Sequence, residues 1–153
     1  MSDSPEPFAL EAFLPYRLMR IAEQVSQDFS EIYRRKYGLS RPEWRCLATL
    51  GQFGSITAKE IGVHSAMHKT KVSRAVAELE RRGWLKRQPD AEDRRAEHLT
   101  LTDAGSKAFR SLVPLAKEFQ QRLHDGLGGS PADNLLSGLD ALERFFSLPP
   151  HND

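Results

Sequence analysis

A short segment near the middle of the chain carries cationic and hydrogen-bonding side chains with no acid among them. Residues 68–74 read HKTKVSR, and the next acid along the chain is Glu78. Helix N-termini carry partial positive charge and favour Asp or Glu, so Lys69 and Lys71 at such an end work against helix stability. Phosphate oxygens and guanine acceptors would supply the missing negative charge. The segment therefore predicts a helix end that binds nucleic acid through His68, Lys69, Thr70, Lys71, Ser73 and Arg74.

A second basic element follows in a stretch rich in turn-forming residues. Arg94 and Arg95 come directly after the sequence PDAED, in a loop with no apolar pattern that would hold them against a core. Arginine inserted into a narrow minor groove is a recurrent way of reading DNA shape. Asp93 beside the pair could fix the direction of a guanidinium. The alternative is an exposed turn whose mixed charges only keep it soluble, but a basic helix end followed by a basic turn favours DNA binding.

The distribution of charge agrees with this interpretation. The net charge is +1, yet residues 57–95 hold ten Lys or Arg against six Asp or Glu, whereas the rest of the chain holds 12 against 15. A basic middle between mildly acidic ends is typical of a protein in which one module faces phosphate.

Length and composition narrow the function classes further. A chain of 153 residues is long enough for one globular domain with a real core. It has no apolar run long enough to cross a membrane and no basic start followed by an apolar stretch, so we expect no membrane partner and a cytoplasmic location. The single cysteine, Cys46, excludes an intrachain disulfide and a cysteine-rich zinc site. We expect no metal, no other cofactor and no catalytic residues.

Apolar residues at steps of three and four predict the helices that position these segments. A first amphipathic helix runs from Leu10 to near Gly38. Ser40 caps a second helix, which Gly51 and Gly54 stop.

The basic segment lies at the start of a later helix. Thr57 caps a short third helix, and a fourth helix runs from about His68 to Arg82. The short connection between them gives the proportions of a helix-turn-helix, whose second helix enters the major groove. Two short strands, residues 84–88 and 97–101, then form a β-hairpin around the basic turn.

Two more helices complete the chain. Thr102 caps a helix that extends to about Leu127, in which Pro114 should produce a kink or a local opening. A loop at residues 128–131 separates it from a final amphipathic helix ending near Phe146. The predicted fold is mainly α with a small β-hairpin wing.

Two blocks of the sequence resemble the MarR family of winged helix-turn-helix transcription regulators. The block LSRPEWRCLATLGQFGSITAKEIG, residues 39–62, is similar to the second and third helices of that family. The block HKTKVSRAVAELERRGWLKRQPDAEDRRAEHLTLTDAG, residues 68–105, resembles its recognition helix, its two wing strands, its DxRR wing tip and its LT-x-x-G start of the fifth helix. The resemblance covers nearly the whole chain.

The resemblance implies a domain organisation. Residues 1–153 would form a single MarR-type domain, with the winged helix-turn-helix lobe at residues 40–101 and the N- and C-terminal dimerisation helices at residues 8–37 and 102–148. Members of the family are homodimers whose two recognition helices bind the half-sites of a pseudo-palindromic, double-stranded DNA operator. Most are repressors that a ligand releases.

The resemblance also assigns roles to the basic residues. The four residues His68, Lys69, Thr70 and Lys71 would face bases, whereas Ser73 and Arg74 would face phosphates, and Arg94 would enter the minor groove with support from Arg95 and Asp93. Many relatives carry Asp or Ser at the cap of the recognition helix. His68 is a weaker cap with a pH-dependent charge, so the base preference at that position stays open.

Effector pockets of the family lie between the dimerisation helices and the DNA-binding lobe. An arginine among aromatic rings suits a carboxylate on an aromatic ring. Relatives with a similar start of the fourth helix frequently control the catabolism of aromatic acids or their coenzyme A thioesters, so the resemblance places this effector class first. The alternative for each candidate is an ordinary packing or solvated role. The candidates are Phe13, Tyr16, Arg17 and Arg20 beside Phe8, then Trp44 and Arg45 on the second helix, and His64 and Met67 before the fourth.

Three other functions stay open from the residues alone. Cys46 could sense oxidants, although its place beside Leu47 in an apolar stripe favours a buried, unreactive thiol. A hydrolase is disfavoured because the sequence has no GxSxG, HExxH or phosphate-loop motif. A helical interaction protein with an acidic partner would not discriminate between DNA sequences, whereas a regulator would.

Overall fold

The computed structural model of the chain describes residues 5–93 and 95–149. It contains two compact units, the first ending at Gly38 and the second beginning at Leu39. The first unit holds a 3-10 turn, Leu10–Ala12, and helix α1, Leu14–Tyr37.

The predicted first helix was wrong at its start and right at its end. Leu10 belongs to the separate 3-10 turn, and the α-helix begins four residues later with Pro15 in its first turn, a position that tolerates the missing N–H. At the other end Gly38 has a φ of 66°, and its N–H donates to the Arg34 carbonyl over 2.8 Å. This left-handed glycine ends the helix.

In its described residues, the second unit carries five helices and a three-stranded sheet. Its fold is mainly α with a small β-hairpin wing, as the sequence predicts. The elements are, in chain order, α2 at Arg41–Phe53, β1 at Ile56–Thr57, α3 at Ala58–Ser65, α4 at Lys69–Arg81, β2 at Leu85–Pro89, β3 at Glu97–Leu101, α5 at Asp103–Leu127 and α6 at Gly129–Phe145.

Helix α2 begins where the sequence predicts and runs past one of its two expected stops. The Glu43 N–H donates to Ser40 Oγ over 3.3 Å, and the Glu43 carboxylate accepts from the Ser40 N–H in return, which is a capping box. Gly51 lies inside the helix and faces the Phe109 ring of α5, so a larger residue there would collide with that ring. Gly54, with a φ of 81°, follows the last residue of α2.

The sheet contains a strand that the sequence analysis did not predict. Strand β3 lies between β1 and β2 and is antiparallel to both, with Ile56 opposite Leu99 on one side and Arg87 opposite Leu99 on the other. Ile56 and Leu99 are buried. The two-residue strand β1 therefore ties the start of α3 to the inner strand of the hairpin.

The last two helices are separated by less chain than predicted. Gly128 alone breaks the helical path, with a φ of 83°, and α6 begins at Gly129 with Pro131 in its first turn. The prediction of a four-residue loop at 128–131 is therefore wrong. Pro131 fits in the first turn of α6 because the N–H groups there have no partner within the helix, so the missing N–H of proline costs nothing. Helix α5 runs through Pro114 without ending.

The core of the second unit is formed mainly by one side of each of the helices α2 to α5 and the inner face of the sheet. Its fully buried large side chains include Leu47, Leu50, Ile61, Val72, Val76, Leu79, Leu99 and Leu112. Within the described ranges, no helix combines the length and the apolar character that a membrane crossing requires.

Candidate nucleic-acid interface

A tight turn joins α3 to α4 and sets the direction of the second helix. Ala66 adopts a left-handed conformation with a φ of 49°, and the Met67 N–H donates to the Gly62 carbonyl over 3.0 Å. A β-carbon at Gly62 would lie 3.1 Å from the Met67 carbonyl oxygen and 3.7 Å from a methyl group of Val72. The glycine therefore permits the close approach of the two helices, and Met67 is buried beneath the turn.

Helix α4 divides sharply into a buried face and an exposed face. Val72, Ala75, Val76 and Leu79 are buried. His68 is the N-cap but makes no capping hydrogen bond through its side chain to any described residue, and the first turn contains no acid. The exposed face brings together all six helix residues predicted to contact DNA, namely His68, Lys69, Thr70, Lys71, Ser73 and Arg74.

The wing is the hairpin of β2 and β3 with its connecting loop. Leu85 pairs with Leu101 at its base and Pro89 with Glu97 at its tip. In the loop Asp93 accepts a hydrogen bond from the Arg95 N–H over 3.0 Å, and the Arg95 side chain is exposed. Arg94, the residue predicted to enter the minor groove, lies outside the described residues.

An arginine on the wing connects it to the recognition helix. Arg87 Nε lies 3.0 Å from the Glu80 carboxylate of α4, and its Nη1 lies 3.1 Å from the Glu97 carboxylate of β3. These hydrogen bonds, with that of Glu97 the largest contribution, raise the pKa of Arg87 above its ordinary value. The wing strand and the C-terminal end of α4 are thus joined by an ion pair as well as by packing.

A second arginine joins the same, C-terminal end of α4 to α2. Arg82 Nη2 lies 3.7 Å from the Glu43 carboxylate, its Nε lies 3.2 Å from Glu78, and its guanidinium lies 5.2 Å from the centre of the Trp84 ring. The side chains of Arg82 and Glu43 are only 20% and 15% exposed, so solvent screens their attraction less than that of a surface pair.

The sequence analysis did not identify these positioning residues. The S-x-x-E spacing of Ser40 and Glu43 could have indicated the capping box. No local signal could have paired Arg82 with Glu43, or Arg87 with Glu80, because each pair depends on how separate elements pack.

The predicted effector residues fall into separate groups. Tyr16, Arg17 and Arg20 line an open cleft of about 400 Å³ in the first unit, together with Glu11, Ile21 and Gln24. The Arg20 guanidinium lies 5.6 Å from the centre of the Tyr16 ring. Phe13 packs edge-to-face on Phe8 with ring centres 5.2 Å apart, and it is not among the cleft residues.

The remaining effector candidates belong to the second unit. Trp44 is half-buried and Arg45 exposed on α2, and Met67 is buried in the turn. His64 stacks on Phe53 with ring centres 4.3 Å apart, which joins the end of α3 to the end of α2.

Cys46 is completely buried on α2. Burial, with a smaller contribution from the nearby Glu43 charge, raises the pKa of its thiol from 9.0 to about 12. A thiol that stays protonated is a poor nucleophile, which argues against oxidant sensing through this residue. Within the described residues, no group of three or more His, Cys, Asp or Glu side chains could hold a metal ion.

Comparison with known proteins connects this geometry to a family. Residues 37–96, which span α2 to the wing loop, match the model of the MarR family. The transcriptional repressor MprA of Escherichia coli K12 is 28% identical, over 91% of this chain and 84% of MprA. The MarR family regulator SPO1453 of Silicibacter pomeroyi DSS-3 is 28% identical with a TM-score of 0.81, over 92% of this chain and 99% of that one.

A third protein of known structure shares the fold at lower sequence identity. This protein is BpsR of Bordetella bronchiseptica, whose DNA binding is regulated by 6-hydroxynicotinic acid. It is 20% identical to this chain with a TM-score of 0.78, and the match covers 90% of this chain and 98% of the BpsR chain. The relatives are named for transcriptional regulation, in agreement with the prediction that the chain is not an enzyme. The chain thus has a winged helix-turn-helix, and along most of its length it is similar to MarR family transcriptional regulators.

Proposed function

We propose that the chain is a sequence-specific repressor that places α4 in the major groove of DNA and the wing in the adjacent minor groove. The observation that carries this proposal is the exposed, acid-free first half of α4 opposite a fully buried face. A helix end of this kind gains stability when phosphate or base acceptors supply negative charge. Repression rather than activation is inferred from the likeness to MprA, which is a transcriptional repressor.

The site residues divide into base-reading and phosphate-binding groups in this proposal. His68, Lys69, Thr70 and Lys71 read bases at the N-terminal end of α4, and Ser73 and Arg74 hold the phosphates that flank them. In the wing, Arg94 enters the minor groove while Arg95 and Asp93 support it.

The regulator is proposed to act as a homodimer on a pseudo-palindromic operator in the cytoplasm. Residues 1–153 form its single domain, with residues 40–101 as the DNA-binding lobe and residues 8–37 and 102–148 as dimerisation helices. Exposed apolar patches mark interfaces between proteins, and both units expose them near the chain ends. Members of these patches are Phe8, Leu10, Leu14, Leu18 and Ile21 in the first unit and Leu135, Leu136, Leu139, Phe145 and Phe146 in the second.

The proposed effector is a small aromatic carboxylate or its coenzyme A thioester. Arg17 and Arg20 place two positive charges around the cleft of the first unit against the single carboxylate of Glu11, and the Tyr16 ring offers an aromatic surface. A guanidinium binds a carboxylate through two parallel hydrogen bonds while an aromatic wall covers the ring. The regulation of BpsR by an aromatic acid gives a precedent within the fold.

DNA binding can be tested with a duplex that the wild-type protein enriches from a random library, compared with a scrambled duplex of equal length. Lys71→Ala should weaken binding to the enriched duplex by about 1 to 3 kcal/mol if Lys71 reads a base, and relax preference at one base pair in each half-site. Lys117→Ala, an exposed lysine on α5, is the control. Equal affinity for enriched and scrambled duplexes would instead indicate a protein that binds acidic partners without reading sequence.

The effector proposal has its own experiment. Benzoate, phenylacetate, 6-hydroxynicotinate and phenylacetyl-CoA are titrated into the preformed protein–DNA complex. We expect one of these compounds to release the DNA, and Arg20→Ala to weaken that release more than Arg110→Ala, an exposed arginine on α5. If none releases the DNA, the effector class is wrong while the DNA-binding proposal stands.

A further inference from the structure

A histidine and an aspartate close the loop of the wing at its base. His98 Nε2 lies 2.7 Å from Asp90 Oδ2. His98 is on β3, where it pairs with Gln88 of β2 on one side and Thr57 of β1 on the other, so its backbone is fixed within the sheet. Asp90 is the first residue after β2. Their side chains are 37% and 28% exposed, which leaves the contact partly shielded from water.

The same aspartate organises the loop that follows it. Asp90 Oδ1 accepts hydrogen bonds from the N–H groups of Glu92 over 2.8 Å and Asp93 over 3.4 Å. These bonds, with that of Glu92 the strongest, and the contact with His98 lower the pKa of Asp90. Asp93 Oδ1 in turn accepts from the Arg95 N–H over 3.0 Å.

These bonds form a continuous connection from the sheet to the basic tip. It runs from the His98 ring through the Asp90 carboxylate to the Asp93 main chain, and from the Asp93 side chain to the Arg95 main chain. A main-chain bond from the Asp90 N–H to the Ala96 carbonyl, 3.0 Å long, closes the loop across its ends. The one member of this connection that lies within the sheet is His98.

We propose that His98 is a positioning residue for DNA binding, which holds Asp90 and through it presents Arg95 and the wing tip to the duplex. The inference rests on the proposed function, because it assigns the orientation of the wing on DNA to a residue that does not itself contact DNA. Charged side chains on a loop bind with less loss of entropy when the loop is already held in its bound conformation.

The hairpin itself does not depend on this contact. Five cross-strand pairs, from Leu85 with Leu101 to Pro89 with Glu97, hold β2 and β3 together, and Arg87 adds its bonds to Glu80 and Glu97. Loss of the His98 ring should therefore loosen the loop while the wing strands stay paired. A loosened loop on a hairpin that stays paired would distinguish a positioning role of His98 from a purely structural role.

The test compares His98→Ala with His98→Gln on the full chain, using the duplex enriched by the wild-type protein as the probe. A glutamine places an N–H donor close to the position of the imidazole Nε2. We expect His98→Ala to weaken binding about five- to tenfold and His98→Gln to stay within about twofold of wild type. Hydrogen exchange should show faster exchange of the Glu92, Asp93 and Arg95 amides in His98→Ala alone. Asp90→Asn, which keeps the loop length, should match His98→Ala.

A double-mutant cycle tests whether His98 affects DNA binding through Arg95. In an Arg95→Ala background the further change His98→Ala should have less effect than it has in wild type, because the side chain it positions is gone. Unchanged binding by His98→Ala, or equal losses in both backgrounds, would overturn the inference alone. A wild-type protein that enriches no duplex overturns the proposed function and this inference together.

Discussion

Gly105, in the first turn of α5, lies directly against the main-chain carbonyl group of Trp84. A β-carbon at residue 105 would be 2.9 Å from the Trp84 carbonyl carbon and closer still to its oxygen. That oxygen also accepts the Thr102 N–H over 2.9 Å, and Thr102 Oγ1 donates to the Gly83 carbonyl over 2.6 Å. The turn that follows α4 and the start of α5 are thus in contact through their backbones, at the base of the wing.

Gly105→Ala should destabilise the protein because backbone atoms cannot move aside as a flexible side chain can. We expect a loss of about 2 kcal/mol or more in the free energy of unfolding, measured by urea denaturation. Gly126→Ala in the same helix is the control, since nothing lies within 4 Å of its added β-carbon. That control should gain up to about 1 kcal/mol from helix propensity. Equal effects of the two changes would contradict the close approach.

Thr100→Val should raise stability. Among the described residues, the Thr100 hydroxyl is buried without a hydrogen-bond partner, and replacing it by a methyl group removes an unmet polar group at nearly constant volume. We expect a gain of about 1 kcal/mol in a chemical denaturation experiment. Thr102→Val provides the contrast, because Thr102 Oγ1 accepts a hydrogen bond from the Gly105 N–H and so caps α5. Removal of this helix cap should lower the free energy of unfolding by about 1 kcal/mol. A loss of stability in Thr100→Val would show that the hydroxyl has a partner in solution.

Cys46 should not react in the native protein. With the pKa of its thiol raised to about 12 and its side chain buried, the thiolate is scarce and shielded at pH 8. We expect labelling by iodoacetamide, followed by mass spectrometry, only after unfolding in guanidinium chloride. Rapid labelling of the folded protein, or loss of DNA binding after mild peroxide treatment that Cys46→Ala prevents, would revive the redox-sensing alternative.

Glu78 should contribute to the acid sensitivity of the fold. A hydrogen bond from Arg81, with further contributions from Arg81 and Arg82, lowers the pKa of Glu78 from 4.5 to about 2. Because the folded-state pKa lies below the unfolded one, this stabilisation is present above pH 4.5 and is lost as the pH falls toward 2. Glu78→Gln should therefore show a shallower loss of thermal stability over that range than wild type, whereas Glu118→Gln should follow wild type.

The parts of the fold that sequence predicted well are those that depend on neighbouring residues. Ser40, Thr57 and Thr102 are each followed three residues later by a backbone N–H that their side chains accept, so the starts of α2, α3 and α5 could be located from local chemistry. The exposed face of α4 follows from its apolar spacing in the same way.

Two of the differences from the sequence prediction concern contacts between distant parts of the chain. Gly51 lies within α2, where the Phe109 ring packs against it, and Ile56 is in a strand opposite Leu99. Neither partner is visible in a local pattern. The contact of His98 with Asp90 requires the register of the hairpin, which no turn signal supplied. Arg94 was assigned by motif alone, so its role stays a prediction.

The short strand β1 has a consequence for the DNA sites that such a protein could use. Through β3 it joins the start of α3 to the wing, and Arg87 joins the wing to α4, so we expect the two proposed contact elements to move together. Each added base pair rotates one part of a duplex about 35° relative to the next. We therefore expect binding sites to tolerate changes in base identity more readily than the insertion of one base pair between the segments that α4 and the wing bind.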